Sequence, residues 1–213
     1  MAGSTAKKLA KSYTAEQVIG SFSDDLIQVV QSLRDDPVLF AHHVCGLKPH
    51  RKQELVLRLD WKKNLHVLLS WGRQFGKSVL VAILISYLLF SEKNFSAFIL
   101  APSGDQSRQI FDHVARFYST SPVLQGMNPV IKGDRISVGG PKWGSSVELV
   151  RVGLTGDLGR GRSTKGKGLV VWDEFAAFTY PAAILGTLSP ITASGGSQII
   201  LSSPGDPGSA MHR

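Results

Sequence analysis

Residues 65–78, reading LHVLLSWGRQFGKS, decide the fold that this sequence predicts. An apolar run leads into a short glycine-containing loop, and Lys77 and Ser78 then open a second apolar run at residues 79–90. A bound triphosphate needs converging backbone N–H groups, an ammonium that bridges its oxygens and a hydroxyl that holds magnesium. Gly76, Lys77 and Ser78 occupy the positions that supply these parts. We therefore predict a buried strand, a phosphate-binding loop and a buried helix.

One position of this loop departs from the usual pattern. A glycine is expected five residues before Gly76, but Trp71 stands there and the glycine lies one residue later, at Gly72. The flanking segments nevertheless fit, because residues 67–69 predict a buried strand and residues 79–90 a helix that is apolar on nearly every side. That helix is shorter than the roughly 18 to 20 residues of a membrane span. An ordinary strand, turn and helix is the alternative interpretation.

Length and composition restrict the class of protein. With 213 residues and 43% hydrophobic content, the chain can bury a core, and its length predicts one domain or at most two. The 24 basic against 16 acidic residues give a net charge of +8, which favours a polyanionic partner such as nucleic acid over a merely basic protein. The single cysteine, Cys45, excludes an internal disulfide framework and fits a reducing compartment.

The N-terminal quarter of the chain predicts a tail and a helical lead-in. Residues 1–13 are basic and lack the apolar core of a secretory signal, so we expect a mobile tail. Within residues 14–47, apolar residues recur at helical spacing up to Leu33. The pair Asp36–Pro37 breaks that helix, and a second short helix is predicted over residues 38–44.

A glutamine lies just upstream of the first core strand. Residues 48–59 predict a turn followed by an amphipathic helix, and Gln53 falls near the start of that helix. Many helicase-like motors place a glutamine at this point, where its amide can satisfy both the donor and the acceptor of adenine. Gln53 is therefore a candidate for base recognition, with Pro49, His50 or Arg51 packing against the base or sugar, and a solvated helix residue is the alternative.

The rest of the chain predicts further buried strands and one segment in which apolar and polar residues alternate. Residues 97–101 and 198–201 are short apolar runs typical of buried strands, and a helix is predicted over residues 106–117. Residues 130–152 alternate apolar and polar side chains around glycine-rich turns, which indicates antiparallel hairpins. We expect an antiparallel excursion attached to an otherwise parallel sheet.

A glycine-rich basic loop occupies residues 154–168. Its sequence, LTGDLGRGRSTKGKG, contains four cations: Arg160, Arg162, Lys165 and Lys167. Such a loop can contact DNA, donate an arginine to a phosphate, or serve as a solvated linker. The strand that follows it favours the first two interpretations.

Two adjacent carboxylates end that strand. Residues 169–173 read LVVWD, and Asp173 is followed directly by Glu174. A carboxylate at the tip of a core strand beside a phosphate loop can hold a magnesium shell, and the next residue can orient and polarise the attacking water. We assign the metal role to Asp173 and the general-base role to Glu174. The loop and the Asp-Glu strand together predict ATP hydrolysis.

Taken together, these motifs resemble the ATPase domain of a large terminase subunit, the DNA-packaging motor of tailed bacteriophages. The resemblance covers residues 49–204, and its most specific element is the altered loop GRQxGKS, matched by residues 72–78. The family also carries the apolar strand ending in Asp-Glu. Its coupling motif of hydroxyl residues before a proline is matched by Ser202, Ser203 and Pro204.

The resemblance implies roles for several arginines. Family members place an arginine-glycine pair upstream of the Asp-Glu strand, and Arg160–Gly161 matches it best, with Arg162 close by. That arginine would act on the ATP of a neighbouring subunit. Arg73, inside the loop, is the other candidate for stabilising charge on the γ-phosphate.

The resemblance also implies the composition of the ATP site. Lys77 and the loop hold the phosphates, Ser78 and Asp173 organise Mg²⁺, and Glu174 activates water. The residues expected to bind ATP are Gln53, Gly72, Arg73, Gln74, Phe75, Gly76, Lys77 and Ser78. Ser202 and Ser203 would couple hydrolysis to movement of double-stranded DNA.

The implied architecture is α/β: a three-layer P-loop NTPase of the ASCE, RecA-like type, with a mainly parallel central sheet and an antiparallel hairpin excursion. Residues 48–213 would form this ATPase core, and the nuclease domain of full-length terminases would be absent. The implied partners are double-stranded DNA, the portal protein and the small terminase subunit, in the host cytoplasm and without a membrane. A ring oligomer is expected on the procapsid, with a monomer in isolation as the alternative.

Two other functions remain open from the sequence. A superfamily 2 helicase shares the glutamine, the loop and the Asp-Glu strand, although it would add a second motor domain and strand separation. A nucleotide-dependent DNA-binding or assembly module would bind ATP without turning it over. Loss of turnover on substituting Glu174, with ATP binding retained, would distinguish catalysis from that second option.

Overall fold

The computed structural model describes residues 15–72, 74–101, 108–151, 168–175 and 195–202. Its helices are α1 (Ala15–Asp35), α2 (Pro37–His43), α3 (Arg51–Leu57), α4 (Lys77–Ser91), α5 (Arg108–Thr120), α6 (Pro122–Gln125) and α7 (Gly140–Trp143). Its strands are β1 (His66–Ser70), β2 (Ser96–Ala101), β3 (Val130–Lys132), β4 (Arg135–Val138), β5 (Ser145–Arg151), β6 (Gly168–Trp172) and β7 (Ser197–Ser202). The predicted lead-in helices, core strands and hairpin segment are all present.

The described strands form one mixed sheet in the order β1-β7-β6-β2-β5-β4-β3. β1, β7, β6, β2 and β5 are parallel, and β4 and β3 extend the sheet as an antiparallel hairpin. β5 joins the two parts, because it pairs parallel with β2 and antiparallel with β4. The prediction of a mainly parallel α/β sheet with an antiparallel excursion is confirmed.

Helix α4 forms the centre of the helical layer. Every residue from Leu80 to Phe90 is buried, as expected for a helix that is apolar on all sides. It packs against α5 and contacts α1, α2 and α3. Tyr87 of α4 donates its hydroxyl to the Arg34 carbonyl at 2.6 Å, and this bond ties α1 to the core.

The boundary between α1 and α2 shows how the sequence sets a helix end. Asp36 has an extended backbone, and its carboxylate accepts hydrogen bonds from the Val38 and Leu39 N–H groups at 2.8 and 3.2 Å. Pro37 at the first helical position needs no partner for an N–H group. The predicted break at Asp36–Pro37 is therefore an N-cap that starts a second helix.

The burial predicted for β1 was wrong in part. Leu69 is 5% exposed and packs into the core, but Leu68 is 56% exposed. Val67 is only partly buried against that core. In the described part of the chain, β1 pairs only with β7 and buries one face, so its side chains alternate between core and solvent.

None of the helices within the described ranges has the length and hydrophobicity needed to cross a membrane. The division of the chain at residues 14 and 48 stays a prediction, and the N-terminal tail, residues 1–13, lies outside the described residues.

Candidate nucleotide-binding site

The loop between β1 and α4 has the backbone conformation of an anion-binding turn. Gly76 is the N-cap of α4 and has a left-handed backbone, with φ of 70°. Gln74, two residues earlier, is also left-handed, with φ of 64°. Gly76 has no side chain with which to cap the first-turn N–H groups, and left-handed residues in a turn bring successive N–H groups into a concave array. The loop therefore presents donors at the positive end of a 15-residue helix.

Lys77 places an ammonium group against this loop. Its Nζ donates to the Trp71 carbonyl at 2.7 Å and to the Gly72 carbonyl at 2.9 Å. The side chain thus reaches back across the loop that precedes its own helix. An ammonium group and helix N–H groups in one turn form a site suited to phosphate.

Gln53 supports the loop from α3. It is 8% exposed, and its Nε2 donates to the Gly76 carbonyl at 3.2 Å. Its Oε1 accepts from the His50 N–H at 3.0 Å, which completes a capping box with the His50 ring. A Cβ placed on Gly76 would lie 2.7 Å from Gln53 Nε2. A side chain at position 76 would therefore displace the Gln53 amide from its bond to the Gly76 carbonyl.

Asp173 and Glu174 stand at the tip of the most buried strand. All five residues of β6 are buried. The Asp173 N–H donates to the Leu100 carbonyl at 2.9 Å, which continues the β6–β2 ladder by one residue. Glu174 then turns away with a left-handed φ of 52° and is exposed. One carboxyl is consequently fixed in the sheet and the next projects into solvent.

The strand order brings both parts of the site to one edge of the sheet. β7 lies between β1 and β6, and Ser202 of β7 is in register with Ser70, the last residue of β1. Because all three strands are parallel, the loop after β1 and the carboxyls after β6 lie at the same carboxyl-terminal edge. Ser202 is 1% exposed at the tip between them.

The electrostatics of Asp173 reflect this arrangement. Burial and the neighbouring Glu174 carboxylate raise the pKa of Asp173 from 3.8 to about 6. A hydrogen bond from the Glu174 backbone and the Lys77 ammonium act in the opposite direction. The ammonium group of Lys77, on the loop after β1, thus favours the charged form of Asp173 at the end of β6. A bound cation would stabilise the ionised form of a carboxylate in such surroundings.

The remaining predicted residues divide into two groups. Ser78 is partly buried in the first turn of α4, and Gln74 and Phe75 are exposed in the loop. Four arginine and coupling positions fall outside the described residues: Arg73, Arg160, Arg162 and Ser203. The roles assigned to all of them stay predictions.

An aromatic cluster beside the loop was not predicted as a unit. The ring centres of His50 and Trp71 are 6.0 Å apart, and Phe75 lies 6.3 Å from His50 and 6.5 Å from Trp71. From the sequence, Trp71 counted only as the residue that replaces a glycine. Three aromatic rings on the two segments that flank a phosphate loop were the available signal.

Comparison with known proteins identifies the fold. No family model matches the sequence, and no curated protein matches it. The large terminase ATPase domain of Thermus phage P74-26 superposes with a TM-score of 0.57 at 23% identity, over 77% of this chain and 68% of that one. The large terminase of bacteriophage HK97 superposes with a TM-score of 0.58 at 19% identity, over 79% of this chain and 37% of that one. This chain has the fold of a large-terminase ATPase domain.

The strands that carry the candidate site residues are neighbours in the sheet. β7, which ends at Ser202, lies beside β1, and β6, which leads to Asp173, lies beside β7. At identities of 19–23% the likeness concerns the fold.

Proposed function

We propose that this chain is a Mg²⁺-dependent ATPase that powers translocation of double-stranded viral DNA into a procapsid. The observation that carries the proposal is the pairing of two elements at one sheet edge. Lys77 crosses the glycine loop at the start of α4, and it also stabilises the charge of Asp173 at the tip of β6. A cationic phosphate cradle at the same sheet edge as a buried carboxylate is the arrangement that metal–triphosphate chemistry requires.

The residues fit the metal that this chemistry implies. Asp173 is a buried carboxylate with a raised pKa, and Ser78 supplies a hydroxyl in the first turn of α4. Oxygen ligands of these two kinds suit Mg²⁺, which neutralises phosphate charge when bound. Asp173 and Ser78 would hold the metal.

The other residues have distinct tasks in the proposed mechanism. Lys77 and the loop N–H groups hold the β- and γ-phosphates in a fixed orientation. Glu174, exposed at the strand tip, accepts a proton from the water that attacks the γ-phosphorus. Ser202 is buried at the end of β7, between the loop after β1 and the carboxyls after β6. In this position it would couple hydrolysis to movement of DNA.

The motor role rests on the terminase fold and on charge. The net charge of +8 suits a protein that moves along DNA. We assign the arginine that completes the site to a neighbouring subunit of a ring, with Arg160 as the first candidate and Arg162 as the alternative. Arg73, inside the phosphate loop of the same chain, is the other candidate for stabilising charge on the γ-phosphate. The portal protein and a small terminase subunit are the proposed partners on the procapsid.

Steady-state ATP hydrolysis tests the proposal. Rates are measured against protein concentration with Mg²⁺ and double-stranded DNA for the wild type, Glu174→Gln and Arg160→Ala. We expect the rate to rise faster than linearly with concentration and to fall at least about 10²-fold in either variant, because general-base catalysis and an arginine finger are each worth that much or more. A mixture of the two variants should recover activity at the sites where intact Glu174 meets an intact Arg160.

Control measurements separate the parts of the proposal. Glu174→Gln should retain Mg–ATP binding, which distinguishes a lost catalytic step from a lost site, and Val130→Ala at the far edge of the sheet should match the wild type. A linear rate that is indifferent to Arg160 would refute a finger from the neighbour at that position. Absence of Mg–ATP binding in the wild type would refute the nucleotide site itself.

A further inference from the structure

The aromatic cluster formed by His50, Trp71 and Phe75 lies directly beside the proposed phosphate loop. Trp71 and Phe75 belong to the loop, and His50 caps the helix whose Gln53 supports it. Phe75 is 51% exposed, although its ring lies within 6.5 Å of both other rings. Lys52 places its ammonium 6.0 Å from the same ring, so positive charge borders this surface. A half-exposed phenylalanine in this position leaves an apolar, π-rich face open next to the loop.

Gln53 is poorly placed to identify a base. Reading adenine would require its Oε1 to accept from the amino group and its Nε2 to donate to the ring nitrogen. Both atoms are already engaged inside the protein, with the His50 N–H at 3.0 Å and the Gly76 carbonyl at 3.2 Å. The side chain is also 8% exposed. Oε1 has a second lone pair and Nε2 a second hydrogen, but a side chain this deeply buried leaves a base little access to either of them.

We infer that the nucleotide base binds by stacking on Phe75 and its aromatic neighbours, and that Gln53 is a positioning residue for the phosphate loop. This inference rests on the proposed function, since it concerns the same nucleotide. Every base has a π-face, so a stacking platform accepts all of them, with purines favoured by their larger area. The motor should therefore discriminate weakly among nucleoside triphosphates.

The alternative assignment makes a different numerical prediction. A site that hydrogen-bonds a particular base edge rejects a base lacking that edge by factors on the order of 10⁴, because its buried polar groups are left unpaired. Stacking is worth about 1–3 kcal/mol per base whichever base is present, or about 5- to 150-fold in affinity. The ratio of affinities for ATP and GTP therefore distinguishes the two assignments.

Calorimetric titration of the full chain tests the inference, in a Glu174→Gln background that prevents turnover. The ligands are the Mg²⁺ complexes of ATP, GTP, CTP and inorganic tripolyphosphate, which has no base. We expect ATP and GTP to bind within about 10-fold of each other, with CTP somewhat weaker. Phe75→Ala should weaken all three nucleotides by about 5- to 150-fold and leave tripolyphosphate within about 2-fold. Phe75→Tyr should restore binding, and Phe75→Leu should not.

Gln53→Ala should give a different pattern of affinities from Phe75→Ala. Because it acts through Gly76, it should weaken tripolyphosphate and all three nucleotides by similar factors and leave the ATP-to-GTP ratio unchanged. Val130→Ala, an exposed apolar residue at the far sheet edge, is the matched control for Phe75 and should change nothing. A Gln53 variant that loses ATP alone would overturn the inference in favour of base reading by that amide.

Two further outcomes separate this inference from the proposed function. Wild-type binding of all four ligands with no effect of Phe75→Ala would overturn stacking while leaving the phosphate site standing. Failure of the wild type to bind even tripolyphosphate would overturn the phosphate site and this inference with it.

Discussion

Strands β1 and β6 both end at the candidate site, yet they are held in the sheet in different ways. β6 lies between β7 and β2, and all five of its residues are buried. β1 stands at the edge of the described sheet, where Leu68 is 56% exposed and Leu69 is 5% exposed. Residues 67–69 of β1 (VLL) are as apolar as residues 169–171 of β6 (LVV), so the composition of these central residues does not account for the difference. Their positions in the sheet do.

The difference shows how each half of the site is kept in place. The carboxyl of Asp173 is positioned by the sheet itself, through the hydrogen bond from its N–H to the Leu100 carbonyl. The loop after β1 has weaker support from its strand and is braced by another element, through the bond from Gln53 to the Gly76 carbonyl. Substitutions on the two strands should therefore have unequal consequences for stability.

The largest expected effect compares the same substitution on both strands. Leu169→Ala on β6 should lower the free energy of unfolding by about 3–5 kcal/mol, since Leu169 is fully buried and the space it leaves cannot collapse completely. Leu68→Ala on β1 should cost less than about 1 kcal/mol, because that side chain is already largely in water. Urea denaturation followed by circular dichroism measures both values. Equal losses would contradict the comparison.

In contrast to the leucine substitutions, replacing Asp173 should stabilise the protein. Its pKa is raised from 3.8 to about 6, so the folded state holds the proton more tightly than the unfolded chain does. The metal-free protein should lose stability as pH rises from about 4 to about 6, by up to about 3 kcal/mol, and then level off. Asp173→Asn should remove this loss, since an amide does not ionise.

Thermal denaturation with a chelator, at pH 4 and pH 8, measures the effect of Asp173→Asn. The variant should be more stable than the wild type at pH 8 and similar to it at pH 4, while its Mg²⁺-dependent ATP hydrolysis is lost. A variant that is less stable than the wild type at pH 8 would show that the ionised carboxylate is stabilised in the fold.

A smaller effect on stability is expected at the contact between Gly76 of the loop and Gln53 of α3. Gly76→Ala should cost about 1–3 kcal/mol, because the left-handed backbone disfavours alanine and the new Cβ would lie 2.7 Å from Gln53 Nε2. Gln53→Ala removes the steric part, so the double variant should be more stable than the sum of the single losses predicts. A double-mutant cycle by urea denaturation measures this coupling, and strict additivity would contradict it.

The elements that could be predicted from the sequence are those specified by local pattern. The uninterrupted apolar run of α4 requires burial on every side, and the structure confirms it. Asp36–Pro37 specifies a helix start with two adjacent residues. The burial of β1 was mispredicted because three apolar residues do not reveal how many strands flank them or whether both faces are covered.

In the site, too, features set by local motifs could be predicted, and contacts between residues far apart in sequence could not. The positions of Lys77 and Asp173 follow from motifs, and the strand order brings both to the same edge of the sheet. The bond between Gln53 and Gly76 joins residues 23 apart in sequence. Neither that bond nor the raised pKa of Asp173 could be predicted, since each depends on packing among distant segments.

The pairing of β1 with β7 also determines when this edge of the sheet can form during synthesis of the chain. Ser197 accepts from the Leu65 N–H at 2.9 Å and donates to the Trp61 carbonyl at 3.0 Å, and 132 residues separate Leu65 from Ser197. At 5–20 residues per second, a ribosome needs on the order of 10 s to cover that distance. Through that interval the nascent chain carries an apolar strand without its hydrogen-bonding neighbour. The loop that follows β1 would then be among the last parts of the sheet edge to be fixed in place in a newly synthesised molecule.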